Sequence, residues 1–544
     1  MRIADTMSTL ELAPELNDKA SEAARGARSA SAARPPIRGY LPYLVFALCV
    51  SLYFLPFMRL LLRGSDEGIL VLGAVRAVHG QLLGRDFFEV IGPGTFYWQA
   101  LFFKLFGVTF LASRIGLFVT SLGTALSIYF LSRRVCRTYQ LLPSILIFAT
   151  YFGTFWPEIS HHADSNCFAL VAVVCMVLWK DFPKRWLLVT SGALAGATVL
   201  TLQQKGILLL LALLVWLAIE HWRRSTSLTA LFWVSGGCFA VVASMLGYFW
   251  SRGALSDLIY ANMVWPSHIY GATFSVPYAF LISDYFNHWV VPTHGFNWTL
   301  GMASVLFVPF LVIAALPVLV VCLGIRRAVK NIPPEIILYW LAGSALWVSE
   351  IHRQDIAHLV FGSPLLVILC IYYLQDIESK SSTLVLQALS VASVCLAGAT
   401  LIVALVAQPM QTRAGLVHTA EYDPVLTAID DHVPPGGEIF IYPYAPMYYF
   451  LSDTTNPTRY STFYFNLKVH SEFAFDEVSR NLDQHRVKYV LWDRNVAEKR
   501  LASLFPMKRP DLPLFTPYLE SHYTPIWAHD GVVLMERKSD DPSN

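Results

Sequence analysis

The sequence predicts an all-α polytopic membrane protein of about eleven transmembrane helices, followed by a small C-terminal α/β domain. Three observations predict it. Of the 544 residues, 55% are hydrophobic and only 14% are charged, a balance too apolar for a soluble domain. Apolar runs of about twenty residues, the length that crosses a bilayer, recur between Tyr40 and Ala407. Beyond Ala407 the hydropathy falls, and strand-like and helix-like patterns alternate.

Residues 1–38 are rich in Ala, Ser, Glu and Arg and end at Pro35-Pro36, which reads as a disordered cytoplasmic tail. The first span, Tyr40–Leu62, is too long and too far from the N-terminus for a cleaved signal peptide, and no small-residue cleavage site follows it. Further spans fall at Phe110–Ser132, Leu141–Trp156, Cys167–Trp179, Trp186–Leu202, Gly206–Glu220, Thr229–Trp250, Met302–Gly324, Ile336–Val348, Ile356–Leu374 and Leu384–Ala407. Basic residues gather in the loops at Arg133 to Arg137, Lys180 to Arg185, Arg223-Arg224 and Arg326 to Lys330, so that side is expected to be cytoplasmic. The membrane core is then residues 39–411, and residues 412–544 form an extracytoplasmic domain. In that domain Glu438–Tyr442, Lys488–Trp492 and Gly531–Glu536 read as strands, and Phe475–His485 reads as a helix with Phe475, Val478 and Leu482 on its apolar face.

Composition also excludes several classes of function. The formal net charge is +2 and no Lys/Arg-rich face stands out, which argues against nucleic acid as a partner. All eight cysteines lie in or beside apolar spans, which argues against a disulfide framework or a CxxC zinc site. Ionisable residues sit at span ends and no inverted repeat is evident, which favours an enzyme over a transporter or lipid flippase.

The stretch Arg63 to Gln99 concentrates the candidate chemistry. Asp66 and Glu67 follow the first span, and Asp86 and Glu89 precede Gly92-Pro93-Gly94. Between the pairs, Ile69, Leu70, Leu72, Ala74, Val75 and Val78 leave Arg76 and His79 for a polar side, which predicts a short amphipathic helix lying in the membrane interface. A carboxylate held there can serve as a base toward a lipid-borne substrate; solvated loop acids are the plainer alternative.

Cationic groups recur at the same ends of the spans: Arg114 just inside the second span, where it needs an anionic partner, Lys205 between two apolar segments, and Arg353 with Asp355 and His358. Asp355 and His358 share a helix face, so the acid can orient the imidazole. His161, His162 and Asp164 are candidate ligands for a divalent metal, although such a string also makes an ordinary polar turn. No cofactor is otherwise called for. Carboxylates in one loop and cations in others suit transfer from a lipid phosphate, with the cations stabilising the phosphate and a carboxylate taking the acceptor proton. Trp265, Tyr270, Trp289 and Trp298 are placed like interfacial anchors, and stacking against a sugar or lipid tail would use the same residues. Tyr444 and Tyr448, just after a predicted strand, are candidates to bind an acceptor or to pack the domain onto the core.

Asp66-Glu67, the spaced Gly80, Asp86 and Gly92-Pro93, and Phe106-Gly107 with Arg114 resemble the first extracytoplasmic loop of the GT-C superfamily of lipid-phosphosugar glycosyltransferases. Within it the chain is similar to dolichyl-phosphate-mannose protein mannosyltransferases, bacterial lipid A aminoarabinose transferases and RgtA/B/C/D-like enzymes. The resemblance is specific over residues 60–210 and architectural beyond. It implies a multi-pass protein of the bacterial inner membrane that transfers a sugar, with inversion, from a polyprenyl-phosphate donor to a lipid, glycan or protein acceptor. Asp66 would be the catalytic base, Glu67 its support, and Asp86 or Glu89 a second acid. Lys205 would hold the donor phosphate, a role that the pattern of charges at the span ends extends to Arg353 and His358. Several relatives have His-Pro-Pro or Lys-Pro-Pro where this chain has Ile91-Gly92-Pro93-Gly94, and Arg85 and Arg114 are the candidates to replace that missing base. A polysaccharide or lipid-linked oligosaccharide ligase is the alternative enzyme, a flippase or transporter the non-enzymatic one.

Overall fold

A computed structural model of the chain describes residues 39–61, 65–155, 157–267, 278–280, 298–326, 332–351, 353–377, 379–463, 471–494 and 515–539. The N-terminal segment 1–38 and the expected anchors Tyr270 and Trp289 lie outside the described residues.

The helices in chain order are α1 (Leu41–Phe54), running on into a tighter turn at Leu55–Arg59, α2 (Ser65–Val78), α3 (Pro93–Phe106), α4 (Phe110–Val135), α5 (Leu142–Phe155), α6 (His161–Asp181), α7 (Arg185–Thr201), α8 (Gln203–Trp222) and α9 (Thr229–Ser251). They continue as α10 (Trp298–Arg326), α11 (Pro334–Ser349), α12 (Ile356–Gly362), α13 (Pro364–Asp376) and α14 (Lys380–Val406). Every expected span falls on one of these helices except Ile356–Leu374, which is divided between α12 and α13. Seven are long and apolar enough to cross a membrane, and α12 with α13, bent by 73°, make an eighth crossing if they act as one broken span. The break sits at Gly362-Ser363-Pro364, where a proline cannot continue the preceding helix. α5, α7 and α11 have 14, 17 and 16 residues, and at ~1.5 Å per residue each falls short of the ~30 Å hydrocarbon thickness.

The helix α2 differs from expectation. It is not an interfacial helix with one wet face: Ile69, Leu70, Val71, Leu72 and Ala74 are buried, and so is Arg76, while His79 alone of the expected polar pair stays exposed. Arg76 Nη2 donates to Thr458 O at 2.8 Å and to Asn456 O at 3.4 Å. The C-terminal segment thus covers the side that the sequence would leave to headgroups, and supplies backbone carbonyls in place of water.

The covering is close. A Cβ at Gly68 would lie 2.4 Å from Met447 N, so α2 meets the short helix α16 (Met447–Leu451) at backbone distance. Replacing Gly68 with Ala is expected to destabilise the protein by about 1–3 kcal/mol, because backbone and not a flexible side chain must give way. Thermal unfolding of the purified variant reads this directly, and a midpoint equal to wild type would refute it.

The remaining C-terminal elements are the hairpin β1 (Gln408–Thr412) and β2 (Gly415–Thr419), helix α15 (Pro424–His432), strands β3 (Ile439–Tyr442) and β4 (Tyr489–Asp493), helix α17 (Ser471–Gln484), helix α18 (Thr516–His522), and strands β5 (Tyr523–His529) and β6 (Val532–Arg537). The sheet order is β3-β4-β6-β5, with β3 parallel to β4 and the other pairs antiparallel. Its side chains alternate between two cores. Phe440, Tyr442, Val490 and Met535 join Val478 and Leu482 of α17, while Ile439, Ile441, Leu491 and Leu534 join Val425 and Ile429 of α15. Ala414, Val417, Met447 and Phe450 belong to the same apolar cluster as Leu70, Phe103 and Phe110, so this segment shares a core with the helices.

Candidate functional site

The first acidic pair is split between two roles. Glu67, on the first turn of α2, is 1% exposed and receives Arg114 of α4 in a two-point ion pair: Nη1 donates to Oε1, and Nη2 to Oε2 at 3.0 Å. Arg114 Nη2 also donates to Leu60 O at 2.8 Å, and the guanidinium lies 4.4 Å from the Phe110 ring centre. The arginine that needed an anionic partner has found it in Glu67. Ile159 N donates to Glu67 Oε1 at 3.1 Å, which ties this pair to the turn that starts α6.

Asp66, one residue earlier, points the other way and is exposed. The Tyr444 hydroxyl donates to its Oδ1. Tyr448 is placed differently. Its hydroxyl donates to Asp423 Oδ2 at 2.9 Å, and Asp423 caps α15, so Tyr448 fastens elements of the C-terminal segment to each other.

The second acidic pair sits on a strap, residues 82–91, gripped from both sides. Arg85 Nε and Nη2 donate to the Asp86 carboxylate at 2.8 and 2.9 Å, and Leu82 N donates to it at 2.8 Å. The Arg85 guanidinium holds this carboxyl below its usual range. Arg85 Nη1 donates to Arg252 O at 2.9 Å, so the guanidinium bridges the strap to the end of α9. Asn262 donates to Glu89 O and Ile91 O, and Phe88 N donates to Arg459 O. The Glu89 side chain is buried; burial pushes it up to about 8, against the pull of Ser461 and Arg76. Among the described residues no hydrogen bond joins Asp86 or Glu89 to Asp66 or Glu67.

The strap ends at Gly92-Pro93-Gly94. A Cβ at Gly92 would lie 2.3 Å from Leu200 O, and one at Gly94 would lie 2.3 Å from Thr201 Oγ1. The loop therefore lies directly against the end of α7, where Leu202 breaks the chain and α8 begins with Gln203-Gln204-Lys205.

The cations gather where α6, α8, α11 and α12 meet. Lys205 Nζ lies 2.6 Å from Glu350 Oε1, and neither side chain is exposed. Glu350 Oε2 lies 3.0 Å from His162 Nδ1. The His162 ring stands edge-on to that of His358 at 4.5 Å, and 4.1 Å from that of His161. His358 Nδ1 lies 2.6 Å from Asp355 Oδ1, and Arg353 Nε donates to Asp355 Oδ2 at 2.9 Å. Asp355 caps α12, accepting from His358 N. Burial alone would raise the Glu350 carboxyl, but Lys205 and His162 hold it well below the usual carboxylate range; His358 and Arg353 do the same for Asp355. Lys205, Arg353 and His358 thus occupy one cluster, while Arg85 and Arg114 are each engaged elsewhere.

His161, His162 and Asp164 do not converge. Asp164 Oδ1 accepts from Thr120 at 2.9 Å, whereas His162 faces Glu350, and among the described residues no group of three His, Cys, Asp or Glu side chains is placed to hold a metal ion. Sequence reasoning missed Glu350 and the role of Arg76. For Glu350 a signal existed: an acid closing one apolar helix complements a lysine opening another.

Comparisons with known proteins bear on the fold. Residues 91–250 match the family model of dolichyl-phosphate-mannose-protein mannosyltransferase. The structure is similar to that of ArnT from Cupriavidus metallidurans bound to undecaprenyl phosphate, with a TM-score of 0.54 and 12% sequence identity over 92% of this chain and 99% of that one. The apo state of the same protein aligns with a TM-score of 0.41 and 11% identity over 91% of this chain and 98% of the other. No curated protein sequence matches. The chain shares the fold of the ArnT structure, and residues 91–250 match a mannosyltransferase family model.

Proposed function

We propose that this protein is a membrane glycosyltransferase that takes a sugar from a polyprenyl-phosphate donor and passes it, with inversion, to a lipid, glycan or protein acceptor on the extracytoplasmic face. The observation that carries this reading is the meeting of Lys205, His162, His358 and Arg353 at adjoining helix ends, linked through Ile159 and Glu67 to the exposed carboxylate of Asp66. The ArnT structure it resembles holds undecaprenyl phosphate, a donor carrier of the required class.

In this reading Asp66 takes the proton of an acceptor hydroxyl as its oxygen attacks the anomeric carbon. The bond from that carbon to the phosphate oxygen breaks, and the lipid phosphate leaves with the electron pair. Lys205 and Arg353 stabilise the charge that develops on it, and His358, oriented by Asp355, supports them. Glu67 and Arg114 do not touch the reacting atoms; their pair fixes the start of α2 and thus the place of Asp66. Tyr444 stands beside Asp66, where an acceptor hydroxyl must arrive.

Incubating the full-length protein in detergent with a panel of polyprenyl-phosphate sugars and following donor loss by mass spectrometry tests the reading. Consumption of one donor with release of polyprenyl phosphate is expected, and no consumption across donors and acceptors would overturn it. Lys205→Ala and Arg353→Ala should each weaken donor binding about tenfold or more, the scale of one charge-assisted contact.

A further inference from the structure

Lys205 and Glu350 are placed against the preference of their helices. Lys205 lies in the first turn of α8, where the helix dipole repels a cation, and Glu350 caps the C-terminal end of α11, where it repels an anion. Both are fully buried, so each has given up its hydration. A buried pair of this kind is a poor way to gain stability, since apolar residues of similar volume do as well or better.

What surrounds Glu350 resembles a binding site for an anion. The N-terminal ends of α6 and α8 carry His162 and Lys205 to its two carboxylate oxygens. No hydrogen-bond donor of the described residues otherwise reaches either oxygen. Asp355 is held quite differently. It caps a helix N-terminus, accepts from a backbone N–H, and receives both Arg353 and His358. Lys205 and Arg353 face Glu350 and Asp355, two cations against two carboxylates. A lipid phosphate entering this balanced cluster must take a cation from one of the acids, and Glu350 is the less firmly held.

We propose that Glu350 is the internal counter-ion of the donor site, competing with the phosphate of a polyprenyl-linked donor for Lys205 and returning to Lys205 as the lipid phosphate leaves. The inference rests on the reading of the cluster as a donor phosphate site. Glu350 acts through Lys205 and His162 and is a positioning residue. Its carboxylate sets a threshold for entry and helps to expel the product.

Glu350→Gln tests this, because the amide keeps the shape and can still accept from Lys205. The full-length protein is reconstituted in nanodiscs, and binding of undecaprenyl phosphate is measured with uncharged undecaprenol as control. The variant should bind undecaprenyl phosphate roughly tenfold tighter or more, with undecaprenol unchanged, as one competing charge is removed. Its kcat should fall while its KM for donor also falls, because product release slows. A purely structural role moves these the other way, with weaker binding and a raised KM. Should Glu350→Gln fold poorly, the double variant Glu350→Gln/Lys205→Met removes both buried charges; it should recover the thermal midpoint and bind undecaprenyl phosphate no tighter than wild type, Arg353 and His358 remaining. Unchanged or weaker binding by folded Glu350→Gln, or binding tighter than wild type in the double variant, overturns the inference and leaves the donor reading standing. If the wild-type protein binds undecaprenyl phosphate no better than undecaprenol, the donor reading falls and this inference falls with it.

Discussion

Asp66→Asn is expected to lower turnover by at least about a hundredfold, the loss typical of removing a general base, with donor binding nearly unchanged. The side-chain oxygen of Asn can still accept from the Tyr444 hydroxyl, so the local arrangement survives while the basic carboxylate does not. Asp66 is exposed, and the change leaves no buried charge unpaired. Single-turnover rates and donor affinity, measured separately at matched protein levels, separate chemistry from binding. Near-wild-type turnover in Asp66→Asn would remove Asp66 from the mechanism and move the search for a base to the histidine cluster.

Arg114→Met carries the largest expected effect on stability. The substitution keeps the apolar stem and strips the charge, leaving Glu67 buried at 1% exposure without its cation. Loss of one partner of a buried ion pair costs about 3–5 kcal/mol. The unfolding midpoint should fall sharply, and the double variant Arg114→Met/Glu67→Gln should recover most of the difference, because the orphaned charge is then gone. A single variant as stable as wild type would mean that water reaches Glu67. Activity should also fall in the single variant, since Glu67 holds Ile159 and through it the turn that presents His161 and His162.

Much of this was legible in the sequence, for reasons that differ from residue to residue. The spans were readable because burial in lipid requires long apolar runs whatever the tertiary contacts, as in Phe110–Val135 and Thr229–Ser251. The central strands β3, β4 and β6 were readable because strands covered on both faces are nearly all apolar, as in Ile439–Tyr442. The edge strand β5 was not, since Pro525 and an irregular register suit only an unpaired edge. Lys205, Arg353 and His358 stood out as charges where apolar segments stop. Their counterpart Glu350, an acid closing an apolar helix, carried only half of the signal, because which cation it meets depends on which helix ends adjoin. Residue pattern alone did not separate Asp66 from Glu67; only the family resemblance ranked Asp66 first. Adjacent residues on a helix point about 100° apart, so one met Arg114 and the other met the surface.

The burial of Arg76 beneath the C-terminal segment has a consequence for synthesis. Its carbonyl partners at Asn456 and Thr458 lie 380 and 382 residues further along the chain. At about 5–20 residues per second, a ribosome needs roughly 20 to 80 s to make them. Through that interval the helix bearing Asp66 has its own turns but not its cover, and a guanidinium destined for the interior waits in water or among headgroups. The surroundings of α2 are therefore completed late although the helix itself is made early. A chain stopped before Asn456 can insert all its membrane helices and still have no finished site.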